Sequence, residues 1–306
     1  MSFGYQVLGF GAGAAAAAPY NIEYLVIAGG AQGGRSSAHG GGGGAGGYRT
    51  AGCYELTGGT PYTVTIGAGG TGPYPDPACS PYYPIPSGSH FGAPGIDSVF
   101  ATITSQGGGA GVGQCNSYAG IPGGSGGGGG HNTAGGIGSS DAFGNPEPAQ
   151  GYPGGSANHS GPYHGAGGGG GANVAGLNGT SGGGAKGGAG KCSAILVTGC
   201  CVKRASGGSG SGNSGGCTPG IPGGGGASTT GPCGAGRAGG VNTGGGSGAA
   251  RASGLATNAN SVGGSGVVYL RMLNSDYSGC VTGSPNESID GLYKVLEFTA
   301  SGTYTG

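Results

Sequence analysis

Short apolar and alternating segments are the first pattern along the chain, and they predict β-strands. Residues 23–28 form an apolar run that stops at two glycines, and residues 62–66 alternate apolar with polar positions. Four more segments share this character: 98–104, 194–198, 267–273 and 293–298. Because the strands lie mostly toward the two ends of the chain, we expect one small antiparallel sheet that holds the only conventional core.

Runs of glycine, interrupted mainly by Ala or Ser, separate these predicted strands; examples are residues 40–47, 107–113, 123–130 and 165–171. Their glycines do not recur at every third position, which excludes a collagen triple helix. A polyproline-II helix has no internal hydrogen bonds, so its N–H and C=O groups need partners on neighbouring segments. We therefore expect a bundle of glycine-rich polyproline-II-like helices with almost no α-helix. Flexible linkers are the alternative.

Composition sharpens this picture, because 90 of the 306 residues are glycine. So much glycine disfavours helices and leaves too few apolar side chains for an ordinary core along most of the chain. The 10 basic and 10 acidic residues cancel. Without a basic surface the chain is not expected to bind nucleic acid, and zero net charge favours self-association. We read the chain as a component of an assembly.

The segments that join the glycine runs are rich in proline, tyrosine and polar residues, notably 72–94, 116–121 and 139–164. Tyrosine offers a large, rigid contact surface at low entropic cost and also carries a hydroxyl group. We predict that these segments are loops at one end of the bundle, and that their aromatic residues bind a receptor. The predicted receptor-binding residues are Tyr74, Tyr82, Tyr83, Phe91, Tyr118, Tyr152 and Tyr163. The alternative is that these rings only cap the ends of the glycine helices.

The order of motifs resembles a known family. The segment IEYLVIAGGAQGGRSSAHGGGGGAGGYRT (22–50), then YTVTIGAGGTG, and finally VNTGGGSGAA and GGSGVVYLRM, are similar to the glycine-rich domain of bacteriophage tail fibres and tail-tip adhesins. The opening MSFGYQVLGFGAGA resembles glycine-rich proteins of aquatic phages. The resemblance implies a virion protein outside the cell, with packed glycine helices, loops at the tip and recognition of a host surface. Residues 292–306 depart from the family, because a similar strand usually precedes the YLVIAGG segment.

Three regions follow from this reading. Residues 1–21 form an N-terminal assembly segment, 22–273 the glycine-rich bundle with its sheet, and 274–306 a C-terminal strand segment. The apolar ends are expected to be ordered by the sheet or by another subunit, since an edge strand can be extended by a second chain. The predicted assembly residues are Phe3, Tyr5, Phe10, Leu292, Leu296 and Phe298.

Catalytic and metal-binding motifs are weak. The five histidines are scattered, and two G-x-S-x-G matches, at 123–127 and 179–183, are chance products of the composition. The nine cysteines include no C-x-x-C pair, so zinc is not expected, and they form either disulfides or buried thiols. We predict no enzyme, no metal and no cofactor.

Two functions remain open from the sequence. The first is a phage fibre or adhesin subunit, whose partners are other fibre subunits, copies of itself and a host glycan or outer-membrane protein. The second is a structural filament or decoration protein of the virion that has no receptor. No apolar stretch of about 20 residues is present, so insertion into a membrane is not expected.

Overall fold

The computed structural model describes residues 18–36, 39–72, 91–113, 118–139, 149–158, 160, 164–181, 183–212, 218–228, 233–234, 236–252 and 261–306. Within these ranges the chain forms β-strands and no α-helix, so the all-β part of the predicted fold class is confirmed. Membrane-spanning helices are accordingly absent from the described ranges.

The strands are numbered in chain order. They are β1 Tyr20–Ile27, β2 Arg35–Ser36, β3 Tyr48–Leu56, β4 Pro61–Thr65, β5 Ser98–Phe100, β6 Ile103–Ser105, β7 Lys191–Ser193, β8 Val202–Arg204, β9 Cys233–Gly234, β10 Ala250–Ala252, β11 Val267–Leu273, β12 Asn286–Asp290, β13 Tyr293–Phe298 and β14 Gly302–Thr305.

Two antiparallel sheets contain most of the long strands. One has five strands in the order β12-β13-β11-β1-β3, and the other has four in the order β14-β4-β5-β6. The sheets share a core in which Leu270, Phe298, Phe100 and Tyr304 are fully buried. The expectation of one small sheet was therefore wrong. Consecutive residues of β1 and β11 are buried, so both faces of the five-stranded sheet are apolar in this region. Each face therefore has to pack against another part of the chain.

The second face of the five-stranded sheet is covered by an irregular segment. Leu25, Tyr269 and Val295 on that face pack against Ile195 and neighbouring residues. Residues 194–198, predicted as a strand, form bends and a turn instead. Their apolar pattern reflects the packing of Ile195 on this face of the sheet. This segment joins β7 to β8, and the Cys192–Cys201 disulfide closes the hairpin.

The C-terminal strands β12, β13 and β14 belong to these two sheets of the sandwich. β13 lies between β11 and β12, and β14 pairs with β4. Both therefore pair with strands from the region 22–273 inside one chain. β12 is left at the edge of the five-stranded sheet.

The glycine segments pack beside this sandwich through backbone hydrogen bonds. Consecutive N–H groups of residues 41–47 donate in rotation to three neighbouring segments, with N···O distances of 2.7–3.0 Å. Gly41, Gly44 and Gly47 donate to carbonyls in 106–112, Gly42 and Ala45 to carbonyls in 167–170, and Gly43 and Gly46 to carbonyls in 244–247. The directions of these bonds repeat every three residues, whereas the side chains of a strand alternate every two.

Candidate functional site

Three of the seven predicted receptor-binding residues lie within the described ranges. These are Phe91, Tyr118 and Tyr152. Tyr74, Tyr82, Tyr83 and Tyr163 lie outside the described residues. The structure brings Phe91 and Tyr118 together and leaves Tyr152 elsewhere on the surface.

Phe91 and Tyr118 form an aromatic pair at the surface of the glycine region. Their ring centroids are 5.7 Å apart and their planes meet at 72°, which is the favoured edge-to-face arrangement. Phe91 is 8% exposed and packs on Val112 and Ile121, whereas Tyr118 is 39% exposed. The buried ring thus anchors the site, and the tyrosine presents a face and a hydroxyl to solvent.

The pair lines a cavity of about 490 Å³, which we call the Tyr118 pocket. Its other walls are residues 119–122 and 135–137, which belong to two neighbouring glycine-rich segments. Backbone hydrogen bonds hold these walls: Gly120 N donates to Ala134 O at 2.9 Å, and Gly136 N donates to Gly127 O at 2.7 Å. A rigid, preformed pocket loses little entropy when it binds a ligand.

The lining of the Tyr118 pocket is mostly apolar. Ile121, Pro122 and Ile137 supply an apolar lining, and Tyr118 supplies the one phenol hydroxyl among the lining side chains. The lining contains no nucleophilic side chain paired with a basic side chain. The pocket is therefore suited to an apolar surface that carries a few hydrogen-bonding groups.

Tyr152 is 44% exposed. Its backbone N–H donates to Gly171 O at 3.1 Å, and its carbonyl accepts from Gly126 N at 3.0 Å. Tyr152 is not among the residues that line the Tyr118 pocket. It therefore offers an exposed tyrosine on the same glycine scaffold, outside that pocket.

The predicted assembly residues take up different environments. Leu296 and Phe298 are fully buried in the core between the two sheets, whereas Leu292 is 77% exposed in the turn between β12 and β13. Phe3, Tyr5 and Phe10 lie outside the described residues. Of the described assembly residues, Leu292 is thus available for contact with another molecule.

A histidine cluster that the sequence did not reveal lies in the glycine region. The ring centroids of His39 and His131 are 4.9 Å apart, and the planes of these two rings are nearly parallel. The ring centroid of His164 lies 5.4 Å from that of His39. The described His, Cys, Asp and Glu residues include no group arranged to hold a metal ion. The wide sequence spacing of these histidines gave no signal of their proximity.

Comparisons with known proteins give one match. No curated protein and no solved structure shows significant similarity to the chain. The family described as "Glycine-rich domain" matches residues 11–273, which span all the described glycine segments and the first eleven strands. The chain therefore belongs to the glycine-rich domain family.

Proposed function

We propose that the chain is a fibre or adhesin subunit of a bacteriophage virion that attaches the particle to the surface of its host cell. On this proposal the protein resides outside the cell, on the virion, beside other fibre subunits and copies of itself. The sequence resemblance of residues 22–50 and 241–272 to phage tail-fibre domains supports the proposal. Membership of the glycine-rich domain family is compatible with it.

The proposed scaffold is a bundle of polyproline-II-like glycine helices. A helix with three residues per turn directs successive N–H groups at three neighbours in rotation, and residues 41–47 have this hydrogen-bond pattern. The same period recurs in two of the three directions in residues 28–34, and in residues 167–172. In the second of these, Gly167 and Gly170 donate to carbonyls in 126–129, whereas Gly169 and Ala172 donate to carbonyls in 205–208. Such a bundle would hold its loops rigidly.

The observation that carries the proposal is the Tyr118 pocket. A half-exposed tyrosine rests on a buried phenylalanine, between walls that backbone hydrogen bonds fix in place. Rigid aromatic anchors in preformed pockets are typical of residues that dominate binding energy. We propose a host-surface glycan or an outer-membrane protein as the receptor. Either one presents apolar patches beside hydroxyl or amide groups.

Two matched substitutions test this function. Tyr118→Ala should lower the affinity of one copy for host cells by about tenfold, which corresponds to about 1.4 kcal/mol. Leu177→Ala removes an exposed apolar side chain of the glycine region outside the pocket, and we expect it to bind as the unaltered protein does. Labelled protein would be titrated against a panel of aquatic bacteria, and thermal unfolding would confirm that both variants fold. Equal binding by both variants would contradict the assignment of the pocket.

A structural filament is the second candidate, and the exposed edge strand β12 favours it. Ile289 on β12 is 65% exposed, and Leu292 in the next turn is 77% exposed. An edge strand with apolar side chains can pair with another copy. Sedimentation of the purified protein distinguishes the two functions. Polymerisation without saturable binding to any cells supports the filament, and saturable binding supports the adhesin.

A further inference from the structure

A second cavity, of about 470 Å³, opens at one end of the five-stranded sheet, far in sequence from the predicted receptor-binding residues. Its lining includes Glu23, Thr50, Thr198, Arg271 and Tyr293, and we call it the Arg271 pocket. Its lining combines these polar and charged side chains with apolar ones such as Ile195, whereas the lining of the Tyr118 pocket contains no charged side chain. Nothing in the proposed attachment function uses this cavity.

The sheet itself builds the Arg271 pocket. Glu23 on β1 lies directly opposite Arg271 on β11. The pairing of β1 with β3 shifts between Ile22 and Tyr24, so that Gly52 and Cys53 both lie opposite Glu23. Such a β-bulge redirects side chains and is frequent beside binding sites. The apolar cover supplied by Ile195 ends at this point, which leaves the polar end of the sheet face open.

Arg271 is the centre of the pocket, and its side chain is 5% exposed. Its Nη1 lies 2.9 Å from Asp290 Oδ2, and its Nη2 donates to Thr198 Oγ1 at 2.9 Å. The guanidinium stacks over the Tyr293 ring at 4.2 Å from the centroid. Hydrogen bonds from Thr198, together with the charge of Arg271, hold the pKa of the Asp290 carboxyl below its usual value.

One donor of this buried guanidinium lacks a hydrogen bond. Arg271 Nε is buried, and Glu23 Oε2 lies 4.0 Å from it, beyond hydrogen-bond distance. The Glu23 side chain is 43% exposed. An oxygen that bridges these two atoms lies to one side of the line that joins them, where it accepts from the Nε–H and donates to the carboxylate. A hydroxyl group does both.

The charge of the pocket selects among hydroxyl-bearing ligands. Glu23 and Arg271 lie in the lining, and Asp290, outside the lining, pairs with Arg271; together the three groups sum to one negative charge. An anionic ligand would be repelled by this net charge, and Asp290 already pairs with Arg271, the only cation of the lining. A neutral ligand with several hydroxyls matches both the bridging geometry and the charge.

The geometry points to the Arg271 pocket as a binding site for a neutral saccharide. One sugar hydroxyl accepts a hydrogen bond from Arg271 Nε and donates one to Glu23, and Thr50 and Thr198 flank it. The site lies on the β-sandwich, is separate from the Tyr118 pocket, and does not depend on attachment to a host.

Titrations of the full chain with defined sugars test this site. The probes are the methyl glycosides of glucose, galactose, mannose and N-acetylglucosamine, with sialic acid as the anionic probe. Nuclear magnetic resonance would follow the backbone amides of Thr198 and Arg271. We expect at least one neutral glycoside to shift these signals with a Kd of about 1 mM, and sialic acid to leave them unchanged. The site is refuted if no neutral glycoside shifts them, or if sialic acid binds more tightly.

Substitutions at Glu23 locate the binding. Glu23→Ala should weaken the binding of the active glycoside by about tenfold or more, because it removes the acceptor for the bridging hydroxyl. Glu23→Gln keeps an acceptor oxygen and should bind within about threefold of the unaltered protein. Glu55→Ala, an exposed carboxylate of β3 outside the pocket, is the matched control. Unchanged binding by Glu23→Ala overturns the assignment.

Tyr118→Ala separates this site from host attachment. We expect it to keep the full affinity for the glycoside, even where attachment to cells is lost. If Tyr118→Ala abolishes glycoside binding while Glu23→Ala does not, the sugar site is the Tyr118 pocket and the assignment to Arg271 is wrong.

Discussion

The two sheets and the glycine segments fill space with different parts of the chain: side chains in the sheets and backbones in the glycine segments. In the sandwich, large side chains such as Leu270, Phe298 and Tyr304 fill the space between backbones. In the glycine region the backbones themselves touch: a Cβ added at Gly126 would overlap the carbonyl oxygen of Gly136, and one added at Gly169 would overlap that of Gly43. A chain with few large apolar residues can therefore still exclude water, provided that its N–H groups find partners on neighbouring segments.

This difference predicts where each region is fragile. A side-chain core tolerates some change of shape, because neighbouring side chains can move. A contact between backbones cannot adjust in this way, since a shift of one segment breaks hydrogen bonds on three sides.

Gly126→Val should have the largest effect. The branched side chain would push away the segment that contains Gly136, and it would disturb the bond from Gly126 N to Tyr152 O. We expect a loss of at least about 4 kcal/mol in the free energy of unfolding, from overpacking together with unpaired buried N–H groups. Chemical denaturation would measure the loss.

Gly52→Val is the matched control for that substitution. Gly52 lies on β3, and a Cβ added there would meet no atom within 4 Å. Valine also suits a strand, so we expect a change of less than about 1 kcal/mol. Similar losses at Gly52 and Gly126 would show that glycine content, and not close packing of backbones, sets the stability of this chain.

Leu270→Ala probes the side-chain core. Leu270 is fully buried between the sheets, where it lies opposite Tyr24 on β1 and Leu296 on β13. We expect a loss of about 3 kcal/mol, within the range of about 2–5 kcal/mol for such truncations. Differential scanning calorimetry would compare it with Gly126→Val. A loss larger than that of Gly126→Val would reverse the proposed order of fragility.

The sequence predicted the sandwich better than the site. The apolar runs of β1 and β11 were visible because both faces of these strands are buried. Residues 194–198 have the same apolar character, yet they bend, since one buried side chain, Ile195, is enough to cover the sheet. β12 was missed because four of its five residues are exposed, which leaves no apolar pattern.

The pockets depend on contacts that no local pattern records. The aromatic residues of the joining loops were visible in the sequence, and Phe91 and Tyr118 meet because their segments pack side by side. The Arg271 pocket needs the register of β1 against β11, which sets Glu23 opposite Arg271 across most of the chain. The cluster of His39, His131 and His164 likewise depends on the packing of three glycine segments.

Alkaline pH should weaken the sandwich, because the folded state holds several of its tyrosines neutral. Burial raises the pKa of Tyr269 and of Tyr20, and burial with the hydrogen bond to Glu287 raises the pKa of Tyr277 to about 12. The unfolded phenol titrates near pH 10. The stability contributed by neutral Tyr277 is therefore complete below about pH 10 and is lost as the pH rises toward 12.

The measurement is the free energy of unfolding between about pH 9 and 12, for the unaltered chain and for Tyr277→Phe. Phenylalanine does not titrate, so the variant should lose stability less steeply with pH. Tyr20 and Tyr269, whose pKa values are also raised, are present in both proteins, so the comparison isolates Tyr277. If the free energy of unfolding of the two proteins changes in parallel with pH, the protonation state of Tyr277 does not affect stability.

Amide hydrogen exchange of residues 41–47 tests the central claim, that these glycine segments are ordered through backbone hydrogen bonds in three directions. Each N–H from Gly41 to Gly47 donates to a carbonyl of a neighbouring segment. We predict that all seven consecutive amides exchange as slowly as the amides of β11, which lies between two strands in the sandwich. Exchange at the rate of an unstructured chain would contradict the account and show that the segment is a flexible linker.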